Sequence, residues 1–295
     1  METVQRHGRG SKMTRIALVG AGGKMGIRLS RNLSGTRFEI AHIEVSQVGR
    51  DRLQAELGVA CVGLDDGIAG AEAVILAVPD KLIGDILAEL APRLPAGTAV
   101  IMLDAAAAHA GTLPDRPDLT YFVTHPCHPP IFNDETTPEA KADFFGGVSA
   151  KQHIVCGLMQ GPEAQYALCE EIARAIYAPV MRAHRCSVEA IAILEPAMAE
   201  TVGATFALAL REATDKAVSR GVPQQAAMDF MLGHLTIELA IAFGVFPEGK
   251  FSDGALQAIA AARPVIFRDN WLDAVFEPAA ILISVRDIAG SPRAA

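Results

Sequence analysis

The chain has 295 residues, of which 51% are hydrophobic, and its formal net charge is -8. A chain of this length can form two domains with a sizeable buried core. The acidic balance excludes the broad basic surface of nucleic-acid-binding proteins, so we predict no nucleic-acid partner. Its five cysteines, an odd number without CxxC spacing, favour reduced thiols and a cytoplasmic location.

The first residues are basic and contain glycine, but they lack the apolar core of a signal peptide. We therefore interpret residues 1–13 as a disordered leader, with Met13 as an alternative start. No window of about 18 uncharged apolar residues follows, so the sequence predicts no membrane partner.

Apolar runs and helical patterns alternate through the first part of the chain. The runs that predict strands lie at residues 15–19, 38–45, 73–78, 98–103, 121–124 and 153–156. Helical spacing reaches residue 33 after the first run and recurs over 82–90 and 163–176. Continuous apolar strands that alternate with helices indicate a parallel sheet covered on both faces. We therefore predict an α/β Rossmann domain, a doubly wound parallel sheet, over residues 14–183, with an irregular stretch at 126–147.

Helical periodicity dominates the rest of the chain, so residues 184–295 are predicted to form an all-α C-terminal domain. Ser187 can cap its first helix. Longer helices are expected over about 196–220 and 223–243, and further ones from Ser252 and Pro278. Their apolar faces exceed what one small helical domain buries. We expect this domain to bind substrate and to form a homodimer.

A glycine series lies between the first predicted strand and its helix. Gly20, Gly23 and Gly26 give the spacing G-x-x-G-x-x-G, and Gly22 adds a G-x-G pair. Glycines allow the tight turn and the close approach of a pyrophosphate, which the helix N-terminus then binds. The predicted cofactor-binding residues are Gly20, Gly22, Gly23, Lys24, Met25 and Gly26.

An acidic residue ends the second predicted strand, about 20 residues after the series, where a carboxylate binds the adenosine ribose hydroxyls. This residue is Glu44, and it favours NAD over NADP. Arg50 and Arg52 lie just beyond, where they either bind a 2′-phosphate or lie on a solvated helix face. We favour the second interpretation and predict NAD as cofactor.

The segment His125-Pro-Cys-His128-Pro-Pro follows the strand predicted at 121–124. Proline restricts the neighbouring backbone, so both imidazoles should have nearly fixed positions. Ligands bind at the carboxyl ends of strands in such sheets, and neutral imidazole is the commonest metal ligand. We predict His125 as a metal ligand. His128 either shares the site, as a catalytic residue, or hydrogen-bonds the loop.

Glu195 is the candidate from the C-terminal domain. Its neighbours are apolar or small, and Pro196 should break the helix there. A buried carboxylate is costly unless it is paired, which favours a metal ligand; alternatively, Glu195 only precedes a helix that begins at Pro196. Glu200 is a second choice. His125 and Glu195 would meet across the interdomain cleft, and nitrogen and oxygen ligands together suit zinc, manganese or iron better than calcium.

Three segments together resemble the D-apionate oxidoisomerases, which are relatives of the 6-phosphogluconate and ketol-acid enzymes. They are residues 20–26, the histidine-proline segment 124–136, and Ile193-Leu-Glu-Pro. The resemblance spans residues 14–288, and the histidine-proline segment is its most specific part. It implies oxidation of the 2-hydroxyl of D-apionate, a sugar acid, by NAD. Migration of a hydroxymethyl group would then give 3-oxo-isoapionate, assisted by one divalent metal, with zinc our first expectation.

Two other functions stay open at this point. A plain NAD-linked dehydrogenase of a small hydroxyacid would use His125 as a general base without a metal. The β-hydroxyacid dehydrogenases carry a catalytic lysine on the first long helix of the second domain, and residues 196–211 contain no lysine. A nucleotide-sensing protein without catalysis is the third possibility.

Overall fold

A computed structural model describes residues 13–290, so the predicted leader lies outside the described residues except for Met13. The chain forms two compact units. The first ends at Ile191 and resumes at Val285, and the second is Ala192–Ser284.

The first unit is built on one seven-stranded sheet in the order β2-β1-β3-β4-β5-β6-β7. The strands are, in chain order, β1 Arg15–Val19, β2 Glu39–Ile43, β3 Ala73–Leu76, β4 Ala99–Met102, β5 Thr120–Pro126, β6 Gln152–Gln160 and β7 Val180–Arg185. The first five run parallel, β6 pairs antiparallel with β5, and β7 is parallel to β6. The predicted α/β Rossmann fold is confirmed, with a two-strand antiparallel extension beside β5.

Helices connect these strands and make up the second unit. They are α1 Lys24–Leu33, α2 Gln47–Leu57, α3 Leu64–Ile68, α4 Ile83–Leu90, α5 Ala106–His109, α6 Pro138–Ala142, α7 Ala164–Ile176, α8 Val188–Ala192, the π-helical segment Ile193–Ala204, α9 Thr205–Ser219, α10 Gln224–Ala242, α11 Asp253–Ile266, α12 Trp271–Phe276 and α13 Pro278–Ile288. The predicted helical C-terminal part is confirmed, and so is the Ser187 cap, whose Oγ accepts from the Ala190 N–H at 3.1 Å.

The centre of the sheet is apolar on both faces. Every residue of β3 and β4 is buried, which is why both read as continuous apolar runs. The strand order reverses between β1 and β3, since β1 leads to β2 on one side while β3 lies on the other. In open α/β sheets the ligand crevice lies at the carboxyl ends of the strands at such a point.

Two strands at the far edge differ from the prediction. β6 extends to Gln160, four residues beyond the predicted end at 156, and β7 was not predicted. The edge strand β7 exposes Met181, Arg182, His184 and Arg185. A search for apolar runs misses it because only a strand covered on both faces must be apolar throughout.

The predicted helix break at Pro196 is wrong. α8, the π-helical segment and α9 follow one another without a loop, and Pro196 lies inside the π-helical segment. Proline lacks the N–H of one helical hydrogen bond and, in an α-helix, clashes with the carbonyl four residues earlier. The wider π turn relieves the clash, while that hydrogen bond stays absent. The hydroxyl of Thr201 donates to the Pro196 carbonyl oxygen at 2.6 Å, so this backbone acceptor of the π turn has a hydrogen-bond partner.

Among the described residues, one helical stretch, Val188–Ser219, is long and apolar enough by length and composition to cross a membrane. The core and interface helices of globular enzymes often have the same composition. Its unit has an aromatic cluster of its own, in which the Phe206 ring lies 5.5 Å from Phe267 and 5.7 Å from Trp271.

Candidate functional site

The glycine series forms the turn between β1 and α1, at the carboxyl edge of the sheet. Gly20 has φ +80°, a left-handed conformation that glycine adopts without strain. A Cβ at Gly26 would lie 2.1 Å from the Gly20 carbonyl oxygen, so only glycine lets α1 start this close to the turn. Gly23 is the N-cap of α1 and provides no side-chain hydrogen bond, which leaves the first N–H groups for an anion.

The same turn touches the end of β3, as expected at the strand-order reversal. A Cβ at Gly20 would lie 2.4 Å from the carbonyl oxygen of Ala77, directly after β3. The backbone N–H groups of Gly20 and Ala21 both donate to the Ile43 carbonyl at the end of β2. The ends of three parallel strands thus enclose the predicted cofactor crevice.

Glu44 lies beside the glycine series. Its Oε2 accepts from the Gly22 N–H at 3.0 Å, and its Oε1 accepts from the Ser46 N–H at 2.8 Å. Arg50 donates to the carbonyls of Glu44 and Val45 at 2.9 and 2.8 Å, so its guanidinium binds backbone. The geometry holds the Glu44 carboxyl group beside the predicted cofactor turn, which agrees with the predicted preference for NAD.

His125 lies on β5 beside the end of β4. Its Nδ1 is 2.8 Å from the carbonyl oxygen of Leu103. A carbonyl only accepts, so Nδ1–H donates, and the neutral ring then has its lone pair on Nε2. Burial lowers the pKa of His125 below its ordinary value, which favours the neutral form that metals bind and that can accept a proton.

Asp104 is a site residue that the sequence analysis did not select. It is buried two residues after the end of β4, and one of its oxygens lies within 4.8 Å of a ring nitrogen of His125. Its Oδ1 also accepts from the Ala106 N–H at 2.5 Å, which fixes the side chain. Its position after an apolar run, at the carboxyl end of a strand, was the sequence signal that could have identified it.

His128 lies next to His125. The ring centroids are 6.2 Å apart, with the planes nearly perpendicular. The Nδ1 of His128 lies 2.9 Å from the Phe145 carbonyl, so it donates and the neutral ring again has its lone pair on Nε2. His128 has φ +60°, which is uncommon for a non-glycine residue. His128 therefore makes the predicted hydrogen bond to the loop. Its ring also lies beside His125, where the alternative role, as a catalytic residue, would place it.

The loop that positions His128 is tied to the nucleotide helix. Arg28 on α1 donates to the Gly146 carbonyl at 3.2 Å, and its guanidinium lies 5.4 Å from the centre of the Phe145 ring. Asn32, one turn further on, donates to the Gly147 carbonyl at 2.9 Å. α1 therefore supports the cofactor turn at its start and the His128 loop along its side.

The carboxylate of Asp143 fixes the backbone at residues 148–150, just after Gly146 and Gly147. Its Oδ2 accepts from the N–H groups of Val148, Ser149 and Ala150 at 3.1, 2.8 and 3.1 Å. Burial alone would raise the pKa of Asp143, but these three donors bring the pKa below its ordinary value.

Glu195 belongs to the second unit and is described within it. It lies in the first turn of the π-helical segment, is half-buried and directly precedes the buried Pro196. π-helical turns occur frequently at functional sites. The π-helical segment therefore fixes the backbone conformation of Glu195.

The donor atoms of the first unit fit a divalent metal. An imidazole nitrogen and a carboxylate oxygen together suit zinc, manganese or iron, whereas calcium prefers oxygen alone. The bond from His125 Nδ1–H to Leu103 fixes the ring so that Nε2 can coordinate. The glycine turn and Glu44 fit a dinucleotide equally well.

The sequence matches the family model for the C-terminal domain of decarboxylating phosphogluconate dehydrogenase over residues 133–289. It is 55% identical to a D-apionate oxidoisomerase of Rhizobium rhizogenes over 94% of this chain and 100% of that protein. It is 40% identical to a D-apionate oxidoisomerase of Blautia hydrogenotrophica over 87% of this chain and 90% of that one.

Solved structures show the same architecture. A semialdehyde dehydrogenase NAD-binding protein from Cupriavidus necator, in complex with calcium and NAD, superposes with a TM-score of 0.92 at 51% identity, covering 94% of this chain and 100% of that one. An NADH-preferring ketol-acid reductoisomerase from an uncultured archaeon gives a TM-score of 0.63 at 14% identity, covering 94% of this chain and 82% of that one. The second likeness concerns the fold alone.

Proposed function

We propose that this chain, which belongs to the D-apionate oxidoisomerase family, converts D-apionate to 3-oxo-isoapionate with NAD as hydride acceptor. It would be an NAD-dependent oxidoreductase acting on a CH–OH group of a sugar acid. The observation that carries the proposal is the pair of oriented imidazoles, His125 and His128, in the unit that holds the dinucleotide turn.

The reaction balances in two steps. The hydride on C2 leaves to NAD and the 2-hydroxyl proton leaves to a base, so C2 becomes a ketone. The C3–C4 bond then breaks as C4, the carbon of the migrating hydroxymethyl group, forms a new bond to C2. The C3 hydroxyl loses its proton and becomes the ketone, while the C2 oxygen gains a proton.

We propose Gly20, Gly22, Gly23, Lys24, Met25 and Gly26 as the residues that bind the NAD pyrophosphate, and Glu44 as the ribose ligand. Close packing at Gly26 and the hydrogen bond between Gly22 and Glu44 support this assignment. Bound NAD supplies the two-electron acceptor.

We propose His125 and Glu195 as ligands of one divalent metal, zinc in the first instance, with Asp104 as a further oxygen donor beside His125. The Nε2 lone pair of His125 and the nearby Asp104 oxygen support the assignment. A metal bound there would polarise the C2 carbonyl as a Lewis acid. The hydrogen bonds of His125 to the Leu103 carbonyl and of Asp104 to the Ala106 N–H fix the orientation of both donor groups.

We propose His128 as the general base. Its Nδ1–H bond to the Phe145 carbonyl directs the proton-accepting Nε2 away from the loop backbone. Nε2 would take the proton of the 2-hydroxyl during oxidation, and it could return a proton to the C2 oxygen after the shift.

Turnover with analysis of the product skeleton tests this function. Protein purified without chelator should reduce NAD when given D-apionate, and NMR should show a hydroxymethyl group moved from C3 to C2. Chelation should abolish both signals, and added zinc should restore them. NADH production with an unmoved skeleton that survives chelation would instead identify a plain dehydrogenase. No turnover of any candidate acid, despite NAD binding, would favour a nucleotide sensor.

We also propose that the unit with the sheet is the dinucleotide-binding domain and that the helical unit, Ala192–Ser284, is the substrate and dimerisation domain of a cytoplasmic homodimer. The boundary expected between residues 183 and 184 would divide β7, and the chain passes from one compact unit to the other between residues 191 and 192. Large apolar side chains are exposed in the second unit, among them Phe230 at 68% and Val265 at 84%. Contiguous exposed apolar surface marks an interaction site. Five free thiols fit a reducing compartment.

Phe230→Glu is expected to convert the dimer to monomers, because it places a charge in a desolvated interface. Light scattering coupled to size-exclusion chromatography reads the mass. Val62→Glu, at an exposed apolar residue of the first unit, is the matched control and should remain dimeric. A wild-type monomer, or a Phe230→Glu dimer as stable as the wild type, would contradict this interface.

A further inference from the structure

A glycine outside the series determines where the Glu44 side chain lies. Gly49 is in the first turn of α2, which begins at Gln47 after the N-cap Ser46. A Cβ built at Gly49 would lie 2.6 Å from Cδ and 2.7 Å from Cγ of Glu44. The Glu44 side chain therefore occupies space that any other residue at position 49 would fill.

Gly49 also touches the cofactor turn. A Cβ at Gly22 would lie 2.3 Å from the Gly49 carbonyl oxygen and 2.5 Å from its Cα. The turn and α2 can approach this closely because Gly22 lacks a side chain. The Glu44 carboxylate bridges the two segments, with Gly22 N–H on one oxygen and Ser46 N–H on the other.

We propose that Gly49 is a positioning residue that sets the selectivity for NAD over NADP, an inference that rests on the proposed use of NAD. Each Glu44 oxygen accepts one backbone N–H and keeps acceptor capacity for a ribose hydroxyl. The fixed negative charge repels a 2′-phosphate. Arg50 and Arg52 donate to the carbonyls of Glu44, Val45 and Gly22, so both guanidinium groups bind backbone here.

Gly49→Ala tests the inference through binding of NAD and NADP, measured by calorimetric titration. The methyl group forces Glu44 to rotate away and to give up its bond to Gly22. We expect the Kd for NAD to rise about tenfold, the equivalent of one charge-assisted hydrogen bond. The ratio of the NADP Kd to the NAD Kd should fall by a similar factor, because the repelling charge moves out of the pocket.

Gly254→Ala is the matched control. Gly254 also lies in the first turn of a helix with a serine N-cap, Ser252, and a Cβ there would have nothing within 4 Å. Alanine is the better helix former at both positions. Gly254→Ala should therefore leave both Kd values unchanged.

A double-mutant cycle with Glu44→Ala separates positioning from general damage. In the Glu44→Ala background the Cγ and Cδ atoms of Glu44 are gone, and of the three nearest atoms only the Ser46 Oγ, 2.8 Å from the added Cβ, remains, so adding Gly49→Ala should cost little further NAD affinity. The double variant should also fold if Gly49→Ala alone does not. Additive losses, an unfolded double variant, or wild-type binding by Gly49→Ala would overturn the role of Gly49. A wild-type protein that binds NADP as tightly as NAD would instead overturn the cofactor assignment on which the inference rests.

Discussion

His125→Ala is expected to lose the bound divalent metal and about 10³-fold or more of D-apionate turnover together. A metal at this site contributes several kcal/mol to stabilising charge in the transition state, and each 1.4 kcal/mol corresponds to about a factor of ten in rate. The variant removes the Nε2 donor that the bond from Nδ1–H to Leu103 orients. Metal content by mass spectrometry and kcat by NADH absorbance measure the two losses.

NAD binding distinguishes this outcome from misfolding. The cofactor turn follows β1, whereas His125 lies on β5, so the Kd for NAD should stay within about twofold of the wild type when distant sites are independent. His153→Ala is the matched control, since this half-buried imidazole lies on the neighbouring strand β6 and packs against His184. It should retain metal and turnover. Full metal content in His125→Ala would show that His125 is not a ligand.

Strands covered on both faces could be predicted from sequence, and the exposed edge could not. β3 and β4 are buried throughout, so the requirement for apolar side chains is visible in the chain. β7 has only one neighbour and exposes most of its residues. Its pairing with β6 satisfies the backbone regardless of side-chain type, so composition carries little information about it.

The same distinction applies to the site residues: those required by a local turn could be predicted, and those that depend on tertiary contacts could not. The glycine series was found because a local turn demands glycine at fixed spacing, and Gly20 and Gly26 meet that demand within seven residues. Gly49 and Asp104 were missed because their roles depend on partners that are close only in the folded chain: Glu44 and Gly22 for the first, His125 for the second. One residue type at one position does not encode such a contact.

Pro196 shows where a local rule was applied too strictly. Proline excludes a regular α-helix around itself, so its position in the sequence predicted a helix break. The chain instead widens to π geometry over Ile193–Ala204, which keeps the helix continuous while changing the direction of side chains along it. Glu195 is thereby presented from a π turn, a geometry that periodicity with a 3.6-residue repeat does not predict.

His128→Ala is expected to reduce kcat by about 10²–10⁴-fold, the usual contribution of a positioned general base, while metal content and NAD affinity stay at wild-type levels. The imidazole is removed, but the donors at Asp104 and His125 lie after β4 and on β5 and keep their own bonds. The retained metal is the feature that separates this variant from His125→Ala.

Two further variants show whether the loss comes from the imidazole or from the loop. Cys127→Ser changes the exposed neighbour of His128 and leaves the hydrogen bond from the backbone N–H of residue 127 to the His153 carbonyl unaffected. This variant should turn over substrate normally. Arg28→Met removes the donor to Gly146 and the cation over Phe145, so it loosens the carbonyl that orients His128. We expect about a tenfold loss of kcat there, equivalent to one lost hydrogen bond. If Cys127→Ser were as impaired as His128→Ala, the loss would come from disturbing the segment as a whole, and His128 would not be identified as the base.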